Sequence, residues 1–190
     1  MKRAVLIASA CAVLVAPAFA QNPPSQNPPA PAAAPAPGAP TTAAAATPAG
    51  TPSTADFVKN AAIAGMFEIQ SSELALRKHV QPDHAFAEHM IRDHERIAAQ
   101  LKHTVRANHV GVEVPTKLDD EHQKMLDQLR GESGANFDKD YDQMQQQGHQ
   151  DAVALFQSYA QNGDNLALKS WAAKTLPTLQ MHLEMAQKLS

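Results

Sequence analysis

Residues Phe86 to Leu101 read FAEHMIRDHERIAAQL, and the fold can be worked outward from this stretch. Ala87, Met90, Ile91, Ile97, Ala98 and Leu101 recur three and four apart, the spacing that puts side chains on one face of an α-helix. His94 stands in the middle of that face, one turn from Met90 and one turn from Ala98. The pattern therefore predicts a helix that carries a polar, titratable ring into a helix–helix interface. Three other segments do the same with Glu68, His149 and His182.

This helix is expected to run from about Pro82 to Asn108, with Gly111 and Pro115 closing it. Upstream, a first helix is expected to open at Thr54, capped by Ser53 or Thr54, with Asp56 favourable in its first turn. Phe57, Ala61, Ala64, Glu68, Ser71, Ser72 and Ala75 share one of its faces, and the small residues there let a neighbouring helix come close. Gln81-Pro82 should end it, leaving Asp83 to cap the next helix. Downstream, Thr116 to Leu129 reads as a shorter amphipathic segment and Gly131 to Asn136 as a turn. Asp138 is the expected cap of a long helix from Lys139 to about Gln161, in which His149 shares a face with Ala152, Val153, Phe156 and Ala160. After the Asn162-Gly163-Asp164 turn, a last helix is expected from Asn165 to Leu189, kinked at Pro177. Its inward face is Thr178, Leu179, His182, Met185, Ala186 and Leu189. Four long helices with short connections predict an all-α fold, an up-and-down four-helix bundle with one short extra connecting helix.

The first 53 residues belong to a different regime. Residues 1–20 carry Lys2 and Arg3, then an apolar run, then Ala18-Phe19-Ala20, the pattern of a secretory signal peptide cleaved after Ala20. The run, interrupted by Pro17, falls short of the roughly 20 apolar residues a membrane-spanning helix needs, so no transmembrane helix is expected in the mature chain. Residues 21–53 are almost wholly Ala, Pro, Thr, Asn, Gln and Gly, with no charge and no large apolar side chain. Such a segment buries too little to offset its ordering entropy and is expected to be a disordered linker. That leaves residues 54–190 as a single folded domain.

Composition narrows the function. The one cysteine, Cys11, lies inside the leader, so the mature chain is expected to have no disulfide, thiolate metal site or thiol catalysis. Without Lys2 and Arg3 the chain keeps 14 basic against 19 acidic residues, a net charge of −5 with no basic cluster, which argues against nucleic acid as partner. There is no Gly-x-Ser-x-Gly, no phosphate-binding glycine loop and no His-Glu-x-x-His pair, which argues against a hydrolase.

Glu68, His94, His149 and His182 each occupy an apolar stripe on a different long helix. If the four sit at one level, a carboxylate and three imidazoles converge as candidate ligands of one transition metal: zinc, iron, copper or manganese. Asp93 is then either a second carboxylate or a hydrogen-bond partner that orients an imidazole from behind. The competing reading is a hydrogen-bonded polar core that fixes helix register without a metal. The remaining histidines (His79, His84, His89, His103, His109, His122) mostly fall off the inward stripes and read as solvated. The methionines, Met181 included, have the spacing of core filler, and Asp119-Asp120-Glu121 reads as a solvated helix face.

A resemblance adds to this. Phe57, Ala61-Ala62, Gly65, Glu68 and Leu74-Ala75 are followed by Phe86-Ala87, Met90 and Asp93-His94. Further on stand Phe137-Asp138, Tyr141, His149, Leu155-Phe156, and Leu176-Pro177 before His182. In this order they resemble the domain-of-unknown-function family 4142 over Thr54 to Ser190. The resemblance implies a ferritin-like bundle in an exported bacterial protein, in the periplasm or at the outer membrane of a Gram-negative cell. The ferritin-like comparison would also imply a di-metal site with Glu-x-x-His motifs, and here the chain departs. Ile91 stands three before His94, Leu179 three before His182, and Ser71 three after Glu68. A mononuclear site or a metal-free remnant fits these residues better. The function expected is a non-catalytic binding or stress-related accessory protein of the cell envelope, with an envelope protein or a second copy as partner. The alternative is a mononuclear metal-binding or redox protein.

Overall fold

The computed structural model describes residues 50–78 and 83–189. The leader falls outside them, as do most of the linker, Pro82 and His79. The described residues form five helices and no strand: α1 (Thr54–Arg77), α2 (His84–Ala107), α3 (Asp120–Gly131), α4 (Ala135–Asn162) and α5 (Leu166–Ala186). The all-α expectation is borne out, and none of these helices is long and apolar enough to cross a membrane.

Short polar side chains at the open N-termini set several boundaries. The Ser53 hydroxyl accepts from the Asp56 N–H, and the Asn165 side chain accepts from the Leu168 N–H, each occupying a donor that the first helical turn cannot satisfy internally. Asp119 does the same for α3, accepting from the His122 N–H. It is therefore a cap, not part of a solvated face. Two expected caps do not hold. Asp83 occupies the N-cap position of α2, but its side chain makes no capping bond and is buried. Asp138 lies inside the first turn of α4, which starts earlier, after Gly134 at φ 56°. Glycine takes that left-handed conformation without a Cβ clash, and an acidic residue in the first turn is favoured by the helix dipole as well as by capping. α5 continues through Pro177, and Ala173, whose carbonyl thereby loses its helical donor, is exposed.

The helices pair as α1 on α2 and α4 on α5, and α2 packs on α5 and α1 on α4, with α3 laid against α1 and α4. Between α2 and α3 the chain is extended, and Val110, Val112 and Val114 pack on the core. That core is two apolar clusters, not one. The first contains Phe57, Ile97, Leu101, Phe156, Tyr159, Leu168 and Trp171. Within it the Phe57 and Tyr159 rings stack at 3.9 Å, and Phe156 meets Phe57 edge-on at 5.2 Å. The second contains Phe67, Leu74, Phe86, Met90, Leu126, Leu129, Phe137, Tyr141 and Ala186. Met90 is core filler as expected, whereas Met181 is exposed, because it sits one residue off the stripe that carries His182. On α2, α4 and α5 the residues between the two clusters are polar and buried: Asp93 and His94, Gln145 and His149, and His182.

A second acidic group lies near the start of α4. Asp142 is buried, with Asp83 and Asp138 close enough to repel it, and burial followed by these two charges pushes its carboxyl up to about 6. The fold therefore holds this proton more tightly than the unfolded chain, whose value is near 3.8. The ionised group destabilises the fold at neutral pH, and that loss is recovered as the pH falls through 6 toward 4. Asp142→Asn should raise unfolding stability by roughly 1 to 2 kcal/mol at pH 7.5. The gain should vanish near pH 4, as urea denaturation at the two pH values would reveal.

Candidate metal centre

Helical geometry delivers three imidazoles to one point. His94 (α2), His149 (α4) and His182 (α5) are all buried, and one ring nitrogen from each lies within 4.8 Å of one from each of the others. Their ring centroids form a nearly equilateral triangle, 5.6 Å from His94 to His149, 5.2 Å from His94 to His182 and 5.4 Å from His149 to His182. On α1, Gly65 faces this point, and a Cβ built there would stand 3.9 Å from His94 Nδ1. The small-residue face of α1 thus leaves room for the ring.

Outer acceptors set the proton on two of the rings. His149 Nδ1 is 2.8 Å from the Gln145 carbonyl oxygen, one turn back on α4. A carbonyl only accepts, so Nδ1 donates, and in the neutral ring Nε2 keeps its lone pair. His182 Nε2 donates to Asp93 Oδ2 at 3.0 Å, which leaves Nδ1 bare. His149 Nε2, His182 Nδ1 and both nitrogens of His94 have no hydrogen-bond partner in the chain. Burial, followed by the charges of His149 and His182, holds His94 well below the usual histidine value. Burial likewise pushes His182 down to about 4, against the opposing pull of Asp93. These two rings are therefore neutral at ordinary pH and need lose no proton to bind a cation. Burial alone would raise Asp93, but hydrogen bonds from His182 and Arg96 and the charges of Arg96 and His89 hold it below the usual carboxylate range.

Glu68 is brought near but does not join the triangle. Its Oε1 is 3.9 Å from His149 Nδ1, the nitrogen already donated to Gln145. Burial raises its pKa, partly offset by His149, Gln145 and His122, and Oε2 has no partner. Glu68 lines a cleft of about 400 Å³ between α1, α3 and α4, with Ile63, Phe67, Met125 and Leu155 as apolar walls. Gly148 faces its carboxyl so closely that a Cβ would come within 2.9 Å of Oε1.

His89 corrects the expectation that it is solvated. Its side chain is 27% exposed, and Nε2 lies 3.2 Å from Asp93 Oδ2. It is one turn before Asp93 on α2, and that i,i+4 spacing was the available signal. Gln145, one turn before His149, was legible in the same way. The other histidines stand apart from the centre: His84 faces Glu88 at 3.7 Å, His122 faces Asp119 at 2.7 Å, and His103 and His109 are exposed.

Fold and site define an all-helical domain built around buried imidazoles. The chain belongs to the family described as Domain of unknown function (DUF4142), whose profile matches residues 39–189. The resemblance read from Phe57 to His182 is thus borne out and reaches further upstream than Thr54. No curated protein and no solved structure matches the chain.

The Asp93 carboxylate is what forces the His182 proton onto Nε2. Asp93→Asn can present an amide N–H instead, and the ring should then shift toward the Nδ1–H tautomer. Long-range ¹H–¹⁵N spectra of the imidazole nitrogens should report that shift, with a stability loss of about 1 to 3 kcal/mol for the lost charge-assisted bond. An unchanged tautomer would mean that Asp93 does not orient the ring.

Proposed function

We propose that this protein is an exported, ferritin-like four-helix bundle of the bacterial cell envelope that binds one transition-metal ion through His94, His149 and His182. The observation that carries the reading is the inward set of lone pairs: three buried imidazoles from three helices, their tautomers set by outer acceptors, with no partner inside the chain. Leaving a buried acceptor unpaired costs about 1 to 3 kcal/mol, and several such atoms together approach the whole stability of a domain, 5 to 15 kcal/mol. A cation shared among the three nitrogens removes that penalty. Three neutral imidazoles without thiolate suit zinc, copper, iron or manganese. Glu68 stands beside the site as a carboxyl facing the cleft, not as a fourth ligand in this arrangement.

The bundle reading is supported by the ring of neighbours α1–α2–α5–α4, in which each helix packs on two others. Export is supported by the charge, apolar and small-residue pattern of residues 1–20, and a tether by the uncharged Ala/Pro composition of residues 21–53. The role is non-catalytic metal holding in the periplasm or at the outer membrane, since the chain carries no nucleophile motif. Partners are an envelope protein or a second copy.

Elemental mass spectrometry of the tag-free chain purified from the periplasm tests this beside His94→Ala/His182→Ala. The expected result is about one metal per chain in the wild type, lost in a variant whose circular dichroism stays helical. A wild-type chain that holds no metal and takes up none on titration would reduce the imidazoles to a structural polar core.

A further inference from the structure

His182 belongs to two groups at once. Besides the inner triangle, its Nε2 forms a second set with Asp93 and His89, in which one ligand atom from each lies within 4.8 Å of the others. The distances are 3.0 Å from His182 Nε2 to Asp93 Oδ2 and 3.2 Å from His89 Nε2 to the same oxygen. The His89 and His182 rings stand edge to face with centroids 5.5 Å apart. The inner triangle is fully buried, whereas His89 and Asp93 are 27% and 12% exposed. The geometry points to an outer divalent-cation site at His89, Asp93 and His182, through which an ion is captured from solvent and passed to the inner imidazoles. This inference rests on the inner site proposed above and deepens it.

Proton accounting decides how the two sites relate. An ion at the outer triad takes the lone pair of His182 Nε2, so the proton held there moves to Nδ1. Nδ1 is the nitrogen that the inner site needs bare. With a neutral ring the two sites are therefore alternatives, and His182 serves one or the other. Passing the ion inward returns the proton to Nε2, where Asp93 accepts it again. The outer ion also displaces the His89 proton from Nε2 to Nδ1, now the acceptor of a bond from Arg92 Nη2 at 3.0 Å. Arg92 is exposed and can release it to solvent. Arg96, 3.0 Å from Asp93 Oδ1, leaves Oδ2 free for the ion. Both guanidinium groups repel a cation, which makes the outer triad the weaker site. A weak site near solvent beside a strong buried one is what capture followed by transfer requires.

The test uses Co²⁺ alone with the full chain, followed by its visible absorption in stopped-flow and at equilibrium. His89→Ala changes a partly exposed residue and leaves the Asp93–His182 bond in place. It should keep the wild-type stoichiometry, with affinity changed less than about threefold, because lost orientation of a ligand is what costs 10- to 100-fold. Its uptake rate should fall by about tenfold or more, within the range charged capture adds to association. His94→Ala/His149→Ala should still bind one Co²⁺, more weakly, and lose it when His89→Ala is added. Wild-type uptake kinetics in His89→Ala overturn the capture role even if the double variant fails to fold. A folded double variant that binds nothing while the wild type binds one ion overturns the outer site and spares the inner one. A double variant with unchanged affinity overturns the inner site and spares the outer. A wild-type chain that binds no Co²⁺ overturns both.

Discussion

The bond from His182 Nε2 to Asp93 Oδ2, 3.0 Å long, is the constraint on which the centre depends. It joins α5 to α2 at the level where the two apolar clusters part, and it decides which face of the ring is bare. The bond from His149 to the Gln145 carbonyl does the same within α4. Together they turn two lone pairs toward His94, whose ring has no partner of its own. A hydrogen-bonded polar core would be expected to pair these atoms with one another. Here the pairing lies on the outer side of each ring, and the inner side is left for something else.

Much of the fold was legible because helices advertise their buried face. The stripe Ala87, Met90, His94, Ile97, Leu101 placed α2 and put His94 inside it, and the same period placed His149 and His182. Positions along the chain say little about rotation and height, however. Glu68 has the right stripe and comes beside His149, yet it reaches Nδ1 and not the bare Nε2. The closeness of α1 to α4 at Gly148, 2.9 Å from a virtual Cβ to Oε1, is a tertiary fact that no periodicity contains. His89 was misread for the same reason. It lies at the edge of the α2 stripe, and only the approach of α5 turns that edge into a half-buried position. The start of α4 was misplaced because Asp138 favours the first turn by charge as well as by capping, and the positive φ of Gly134 has no signature except the glycine itself.

The acidic residues divide into two electrostatic situations. Asp93 has Arg96 and two imidazoles around it, so its charge is wanted and its proton is held weakly. Asp142 has burial and two like charges around it, so its charge is resisted. The first arrangement supports a ligand ring. The second stores repulsion near the start of α4, remote from the imidazoles in sequence and on the other side of Gln145.

Helices α1, α2, α4 and α5 each contribute side chains to both apolar clusters, above and below the imidazole level. Fraying of either end of the domain therefore exposes one cluster while the other still clamps the same four helices. Local opening, the usual way solvent reaches a buried layer, stops short of this one, and only a cooperative loss of both clusters uncovers it. The backbone is in effect a lock with two independent bolts. Any traffic to the layer on a timescale shorter than global unfolding must be carried by rotating side chains, and a held ion would outlast many partial openings of the chain around it.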